Sequence, residues 1–190
     1  AATVRKLLAL ARARPPQLER VDFKAMARSA IGWREHHLQL HQIEARLDVD
    51  PHLPPVECDR HQVHQVLINL LLNAELAVGS KGIIDVRIRR GTGEDVLVSV
   101  ADSGPGVPSE DLARIFQPFF TTRAPQEGTG LGLASCLSIV EAHNGTITAR
   151  NRSQGGLEVT FQLPLEASRE AENEGGDVAT SWRPPEGLRV

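Results

Sequence analysis

The stretch from residue 102 to residue 132 constrains the fold more than any other part of this 190-residue chain. It is rich in glycine and proline, and within it only SEDLARIF at 109–116 has a pattern that predicts a short helix. The segments on both sides are periodic: DVLVSVA, at 95–101, predicts a buried strand, and GLASCLSIVEAHNG, at 132–145, predicts a helix. Since so long a loop inside a compact domain is usually functional, we expect a mobile functional segment held between regular elements.

The remaining periodic segments predict alternating helices and strand pairs. They comprise a helix from Asp22, a strand over LQLHQIEARLDVD, a helix from Asp59 to about Val78, a hairpin of GIIDVRIRR and DVLVSVA, a helix end at Asn144-Gly145 and a last hairpin turning at Gly155-Gly156. Helices that lie between antiparallel strand pairs favour an α/β two-layer sandwich, in which a mixed, mainly antiparallel sheet carries its helices packed on one face.

Charge and composition narrow the classes of partner. The net charge of −3 comes from residues 166–190, where six acids face three arginines, so residues 1–165 are formally neutral. A neutral body gives no electrostatic reason to expect nucleic acid or an anionic membrane as the partner. Cys58 and Cys136 lack metal-ligand spacing, and no membrane span or signal peptide is evident, so we expect a cytoplasmic location.

Two asparagines stand out on the helix predicted from Asp59. Asn69 and Asn73 are four residues apart, which places them about 40° apart on one face of a helix. Asparagine is a poor residue for a helix interior, although it can be exposed or locally bonded there. The alternative is an oxygen-rich strip suited to Mg²⁺, which prefers hard oxygen ligands and retains waters and phosphate oxygens.

The segment DSGPGVP begins with an aspartate at the end of a predicted strand. The Asp102 carboxylate can accept hydrogen bonds from an exocyclic amine, and Gly104 and Gly106 would let a flat ring approach the backbone. A polar turn after a strand is the competing interpretation.

A second glycine-rich segment, GTGLGLA, precedes the next helix. Gly128, Gly130 and Gly132 would direct backbone N–H groups and a helix N-terminus at an anion such as phosphate. The P-loop pattern is absent from the sequence, and the dinucleotide-binding pattern would require glycine at Leu133.

The segments NLLLNA, DSGPGVP, IFQPFFTT and GTGLGLA, in this order, resemble the asparagine, first glycine, phenylalanine and second glycine boxes of sensor histidine kinases. These segments are similar to those of kinases related to the nitrogen-regulation sensor and of hybrid kinases. The resemblance implies a Bergerat ATP-binding fold that binds ATP·Mg²⁺ under a mobile lid. It also implies transfer of the γ-phosphate to a histidine on a separate dimerisation helix.

The resemblance implies a role for each matching position. Asp102 would bind the adenine amine, and Gly104 and Gly106 would shape the adenine pocket. Asn73 would bind Mg²⁺, and Asn69 would contact the phosphates or a metal-bound water. Thr122 and Arg123 would reach the γ-phosphate. The lid would be packed by three phenylalanines: Phe116, Phe119 and Phe120. The lid hinge and the phosphate contacts would come from the second glycine box, at Gly128, Thr129, Gly130, Leu131 and Gly132. Asn69, Asn73 and Arg123 would have the catalytic roles.

Two positions depart from the family pattern. Glu75 stands where a basic or amide residue often approaches phosphate, which implies modest nucleotide affinity. Asn69 stands where gyrase- and chaperone-type ATPases carry a water-activating glutamate, so transfer to histidine fits better than hydrolysis. The alternatives are a non-catalytic nucleotide-binding interaction module and an ATPase of that second class.

The resemblance also divides the chain. It implies the end of a dimerisation helix at 1–14, a linker at 15–21, the ATP-binding catalytic domain at 22–165, and an acidic flexible tail or a linker to a receiver domain at 166–190. The implied partners are the protein's own phosphoacceptor helix, a response regulator or fused receiver domain, and a second copy in a full-length homodimer, which could be membrane-anchored. None of the seven histidines is followed by an acidic residue, so we expect the acceptor helix to lie upstream.

Overall fold

The computed structural model describes residues 15–121 and 129–166. Within those ranges the helices are α1 (Phe23–Leu40), α2 (Arg60–Val78) and α3 (Gly132–Ala142). The strands are β1 (Glu19–Val21), β2 (Glu44–Val49), β3 (Val56–Cys58), β4 (Ile83–Arg90), β5 (Asp95–Asp102), β6 (Thr146–Asn151) and β7 (Leu157–Pro164).

Five strands form one mixed sheet in the order β2-β4-β5-β7-β6. Only the β2–β4 pair of this sheet is parallel, and β1 pairs with β3 in a separate antiparallel ribbon. In β4, buried Ile84, Val86 and Ile88 alternate with exposed Arg87 and Arg89, so one face of the sheet is covered and the other faces solvent. The helices pack on the covered face, which confirms the predicted two-layer α/β sandwich.

Local signals place the helix ends where the sequence predicts them. The Asp22 carboxylate accepts hydrogen bonds from Lys24 N and Ala25 N at the start of α1. Asp59 caps α2 in the same way, and Asn144, with φ of 56°, lies in the left-handed conformation just beyond α3. The last hairpin turns through Gly155 and Gly156, also as predicted.

Two local predictions are wrong. Residues 109–116 form successive turns instead of a helix, with separate hydrogen bonds from Asp111 N to Pro108 O and from Arg114 N to Asp111 O. Only Ile115 of this segment is buried, so no apolar stripe offsets the cost of nucleating a short helix. The strand predicted from residue 38 begins only at residue 44, because Leu38 is buried as part of α1.

Residues 19–21, within the predicted linker, form β1 and so pair with the body of the domain. The predicted ends, residues 1–14 and nearly all of 166–190, lie outside the described residues. In the part of the chain that the structure describes, none of the helices has the length and apolar character needed to cross a membrane.

Candidate functional site

A cavity of about 460 Å³ lies between α2, the ends of β5 and β7, and the start of α3. Its walls are mainly apolar side chains, including Leu70, Val100 and Val159. The predicted site residues in its lining are Asn69, Asn73, Asp102, Gly106, Thr129, Gly130 and Gly132. A second, larger groove between α1 and β2 contains none of the predicted residues. Three segments that are distant in sequence therefore meet at one concave site, as binding sites for small molecules usually do.

Asp102 is the last residue of β5 and is only 4% exposed. Its Oδ1 accepts hydrogen bonds from Gly104 N at 2.8 Å and from Leu157 N at 3.3 Å. Backbone donors thus hold this carboxylate in place, and it can accept further hydrogen bonds from a ligand amine.

The glycines that follow Asp102 are required by packing of the loop. A Cβ on Gly104 would lie 2.8 Å from the backbone oxygen of Ala77 on α2. Gly106 has φ of 77°, and a Cβ there would lie 2.7 Å from Asn151 Oδ1. These contacts give both glycines a packing role. Gly106 also lines the cavity, and the expectation that the two glycines let a flat ring approach the backbone stays a prediction.

The two asparagines of α2 face the beginning of α3. Both are half-buried, and Asn69 Nδ2 donates to Gly132 O at 3.4 Å. A Cβ on Gly132 would lie 3.8 Å from Asn73 Nδ2, so the asparagine box and the second glycine box are in close proximity. The buried Cys136 thiol of α3 donates to Val66 O on α2 at 3.9 Å and stays protonated, because burial raises its pKa to about 12.

The second glycine box packs against the phenylalanine box through backbone atoms. Phe119 N donates to Gly130 O at 2.9 Å. Gly130 has φ of 65°, and a Cβ there would lie 2.5 Å from the Phe119 carbonyl carbon. Leu131 N donates to Thr129 Oγ1 at 3.4 Å, while the Leu131 side chain is 36% exposed.

The three phenylalanines expected to pack the lid behave differently from one another. Phe116 packs against the core, and Phe120 lines the cavity with the Arg114 guanidinium 4.5 Å from its ring centre. Phe119 is 51% exposed, and its backbone N–H contacts the second glycine box. Thr122, Arg123 and Gly128 lie outside the described residues, and their roles stay predictions.

Glu75 has a role that its position in the sequence does not reveal. The carboxylate is 4% exposed and binds the Arg34 guanidinium through three hydrogen bonds of 2.7 to 3.1 Å. His37 Nδ1 lies 3.0 Å from the same carboxylate. Glu75 thus joins α2 to α1, and its neighbours Ala74 and Leu76 line the cavity instead.

The hairpin between β6 and β7 is a part of the site that the sequence did not predict. Leu157 lines the cavity, and Arg152 Nη1 donates to the backbone oxygen of Asp102 at 2.8 Å. The Gly155-Gly156 pair is a sequence signal for this hairpin, but it indicates a turn and says nothing about which strand end the turn contacts.

A mixed sheet covered by helices on one face, with a cavity that joins a strand-end carboxylate to glycine-rich backbone before a helix, defines the Bergerat class of ATP-binding domain. Residues 58–167 match the family described as histidine kinase-, DNA gyrase B-, and HSP90-like ATPase. The chain belongs to this family.

Curated and solved relatives identify the branch of the family. The sensor histidine kinase ZraS of Escherichia coli (strain K12) is 37% identical over 166 residues, which cover 87% of this chain and 35% of ZraS. The chain therefore spans about a third of the length of the curated relatives it matches first.

Among solved structures, the nucleotide-free catalytic domain of histidine kinase ThkA superposes with a TM-score of 0.73 at 35% identity, covering 80% of this chain and 97% of that domain. ThkA is also known in complex with the response regulator protein TrrA, with a TM-score of 0.72 at 31% identity over 86% of this chain and 46% of that one. Full-length ShkA in complex with AMPPNP gives 0.75 at 27% identity over 88% of this chain and 36% of ShkA. The similarity is to the ATP-binding catalytic domain of two-component sensor histidine kinases, which confirms the resemblance drawn from the four boxes.

Proposed function

We propose that this domain binds ATP·Mg²⁺ and transfers the γ-phosphoryl group to a histidine on a dimerisation helix. The observation that carries the proposal is the meeting of Asp102, Asn73 and the backbone of Gly130 and Gly132 at one cavity. In the transfer, the bond between the γ-phosphorus and the β,γ-bridging oxygen breaks, a phosphorus–nitrogen bond forms on the imidazole, and ADP leaves. The imidazole proton passes to a base beside the acceptor histidine.

The adenine ring and the phosphates of ATP would occupy separate parts of the cavity. The Asp102 carboxylate would accept a hydrogen bond from the adenine amine, among apolar side chains such as Val100 and Val159. The phosphates would lie toward Gly130 and Gly132, where the N-terminus of α3 presents backbone N–H groups. Thr122 and Arg123 would reach the γ-phosphate, with a bidentate guanidinium suited to its oxygens.

The residues present fit a magnesium ion bound mainly through its nucleotide. Within residues 15–121 and 129–166, no group of three or more His, Cys, Asp or Glu side chains comes together to hold a metal. Mg²⁺ that is bound with ATP commonly takes one or two protein oxygens, and the side-chain oxygen of Asn73 would be one of them. When bound, Mg²⁺ would neutralise charge on the phosphate oxygens.

Asn69 favours phosphotransfer over hydrolysis by the domain alone. Its amide donates a hydrogen bond to Gly132 O, and an amide has no basic group to activate water. This contact supports a positioning role for Asn69 beside the phosphate end of the cavity.

The remaining parts of the proposal rest on the resemblance of the sequence to sensor histidine kinases. We propose that residues 1–14 belong to a dimerisation helix, that 15–21 connect it to the catalytic domain at 22–165, and that 166–190 are a tail or lead to a receiver domain. The partners would be the phosphoacceptor helix, a second copy of the protein, and a response regulator, as ThkA has in its complex with TrrA.

The test combines binding with transfer. Titration calorimetry should detect binding of a non-hydrolysable ATP analogue with Mg²⁺, and dimerisation helices of a sensor histidine kinase, supplied in trans, should become labelled from γ-labelled ATP. Asn73→Ala should abolish the labelling, because it removes the oxygen ligand for the metal, while the adenine contact at Asp102 remains.

Two outcomes would contradict different parts of the proposal. Absence of binding at millimolar analogue would exclude a nucleotide site. Binding without transfer to any acceptor helix, with Asn73→Ala indistinguishable from the parent, would instead favour a nucleotide-binding interaction module.

A further inference from the structure

We infer that the β6–β7 hairpin holds the first glycine box in place at the adenine site, and that Arg152 positions Asp102 to read the 6-amino group of the base. The inference rests on the proposed function, since it concerns how that function selects its nucleotide. It is drawn from three sets of contacts between residues 151–157 and the segment from Asp102 to Val107.

Arg152 contacts the backbone of Asp102 from the hairpin. Its Nη1 donates to Asp102 O at 2.8 Å, and its Nη2 lies 3.5 Å from Asp85 Oδ2 on β4. The Arg152 backbone is itself fixed in the turn, since Arg152 N donates to Gly156 O and Gly155 N donates to Arg152 O. The guanidinium therefore ties the end of β5 to β4 and to the hairpin at once.

Gly156 and Leu157 contact Asp102 at both its backbone and its side chain. A Cβ on Gly156 would lie 1.9 Å from Asp102 O, so any side chain there would displace this strand end. Gly156 also has φ of 94°, a conformation that favours glycine. Leu157 N donates to Asp102 Oδ1, the same oxygen that accepts from Gly104 N.

Asn151 holds the loop that follows Asp102. Its Nδ2 donates to Val107 O at 2.6 Å, and Val107 N donates to its Oδ1 at 2.9 Å. The hairpin thus forms hydrogen bonds with the first glycine box at both of its ends, at Asp102 and at Val107.

These contacts bear on base recognition more than on phosphate binding. Arg152, Gly156 and Leu157 all act on the atoms of Asp102, whereas Asn73 and Gly132 lie on α2 and α3 at the other part of the cavity. A carboxylate recognises one amine only if its orientation is held, because a misplaced acceptor loses its hydrogen bond. Loss of Arg152 should therefore reduce discrimination between bases while leaving the phosphate contacts unchanged.

The test compares two variants in the same hairpin. Arg152→Met removes the guanidinium at Asp102. Arg150→Met is the matched control, because it removes a guanidinium of the same hairpin that binds buried Glu158 instead of Asp102, and so it reports the effect of losing an ion pair in this hairpin. For each folded protein, titration calorimetry gives the dissociation constants of ATP·Mg²⁺ and of purine riboside triphosphate·Mg²⁺, which lacks only the 6-amino group.

We expect the preference for ATP over purine riboside triphosphate to fall about five- to tenfold in Arg152→Met, the effect of losing most of one hydrogen bond. Affinity for purine riboside triphosphate and the preference shown by Arg150→Met should stay near the parent values. A general loss of structure would weaken both nucleotides together and would leave their ratio unchanged.

An unchanged ratio in folded Arg152→Met would overturn the inference while leaving the proposed function intact. If the parent bound neither nucleotide, the proposed function itself would fail. If Arg152→Met did not fold, Asp85→Ala would be measured in its place, since it removes the side-chain oxygen that is the second anchor of the guanidinium. A ratio equal to the parent's in that variant would overturn the inference equally.

Discussion

Glu75 is a buried carboxylate on α2 that binds two side chains of α1. Arg34 meets it in a bidentate arrangement with a shortest distance of 2.7 Å, and the Arg34 side chain is itself only 19% exposed. A charge this deeply buried is tolerated only while it is paired, because removal from water is costly. Glu75 therefore stabilises the contact between α1 and α2. It does not replace the basic residue that often approaches phosphate at this position.

At this residue we predict that Glu75→Gln lowers the free energy of unfolding by about 1–3 kcal/mol, since Arg34 loses its charged partner in a largely buried site. Urea unfolding monitored by circular dichroism measures the change. Glu44→Gln is the control, because Glu44 pairs with Arg46 on the surface, where both side chains are more than half exposed. The structural role would be wrong if both variants lost equally little stability.

At the scale of elements, Asp59 joins three parts of the chain. Its carboxylate accepts hydrogen bonds from His61 N and Gln62 N at the start of α2 and from Gln17 N ahead of β1. Asp59 N donates to Nε2 of buried His143 just after α3, and the other ring nitrogen lies 2.8 Å from Ile139 O. The N-cap of α2 is thus also the point where the segment before β1 meets the end of α3.

The Asp59 carboxylate should make the free energy of unfolding depend on pH. Burial raises its pKa, but the hydrogen bonds from Gln62 N, Gln17 N and His61 N outweigh burial, so the pKa lies below its ordinary value of 3.8. A carboxyl with a lowered pKa in the folded state stabilises the fold above its unfolded pKa, and this contribution is lost as the pH falls through the folded pKa.

We predict that Asp59→Ala lowers the free energy of unfolding by about 1–2 kcal/mol at pH 7, and that the difference from the parent shrinks below about pH 4. Denaturant unfolding at several pH values measures both effects. Asp22→Ala is the matched control, since exposed Asp22 caps α1 through two backbone hydrogen bonds. A difference between Asp59→Ala and the parent that persisted undiminished at low pH would contradict the ionised cap.

At the scale of the whole molecule, the nucleotide cavity and the histidines are separate. All seven histidines lie in the described ranges, and none lines the cavity. His37 has a carboxylate within 3.0 Å, contributed in space by Glu75, but Arg34 already binds that carboxylate. The domain thus has a site for ATP without an imidazole placed at it.

We therefore predict that the 190-residue chain alone, given γ-labelled ATP and Mg²⁺, does not label its own histidines. Acid-labile, alkali-stable label on the protein measures this, with an added acceptor helix as the positive control. Self-labelling would overturn the prediction, and its loss in His37→Gln would identify the imidazole beside Glu75 as the acceptor.

Periodicity and caps made most of the fold predictable. Both aspartate caps, the helix end at Asn144 and the glycine turn of the last hairpin rest on interactions within a few residues, so they can be inferred from sequence. The helix predicted at 109–116 was wrong because a local pattern without a buried apolar stripe does not stabilise so short a helix.

The sequence by itself determined most of the helices and longer strands, the class of fold and three of the segments that form the site, because each depends on local spacing or on a motif. Only the tertiary structure decided that Glu75 faces α1, that Gly104 packs on α2, and that Arg152 holds Asp102. Arg152 and Asp102 are 50 residues apart, and Arg34 and Glu75 are 41 apart. Such pairs meet only once strand order and register are set, and those depend on packing of the whole core.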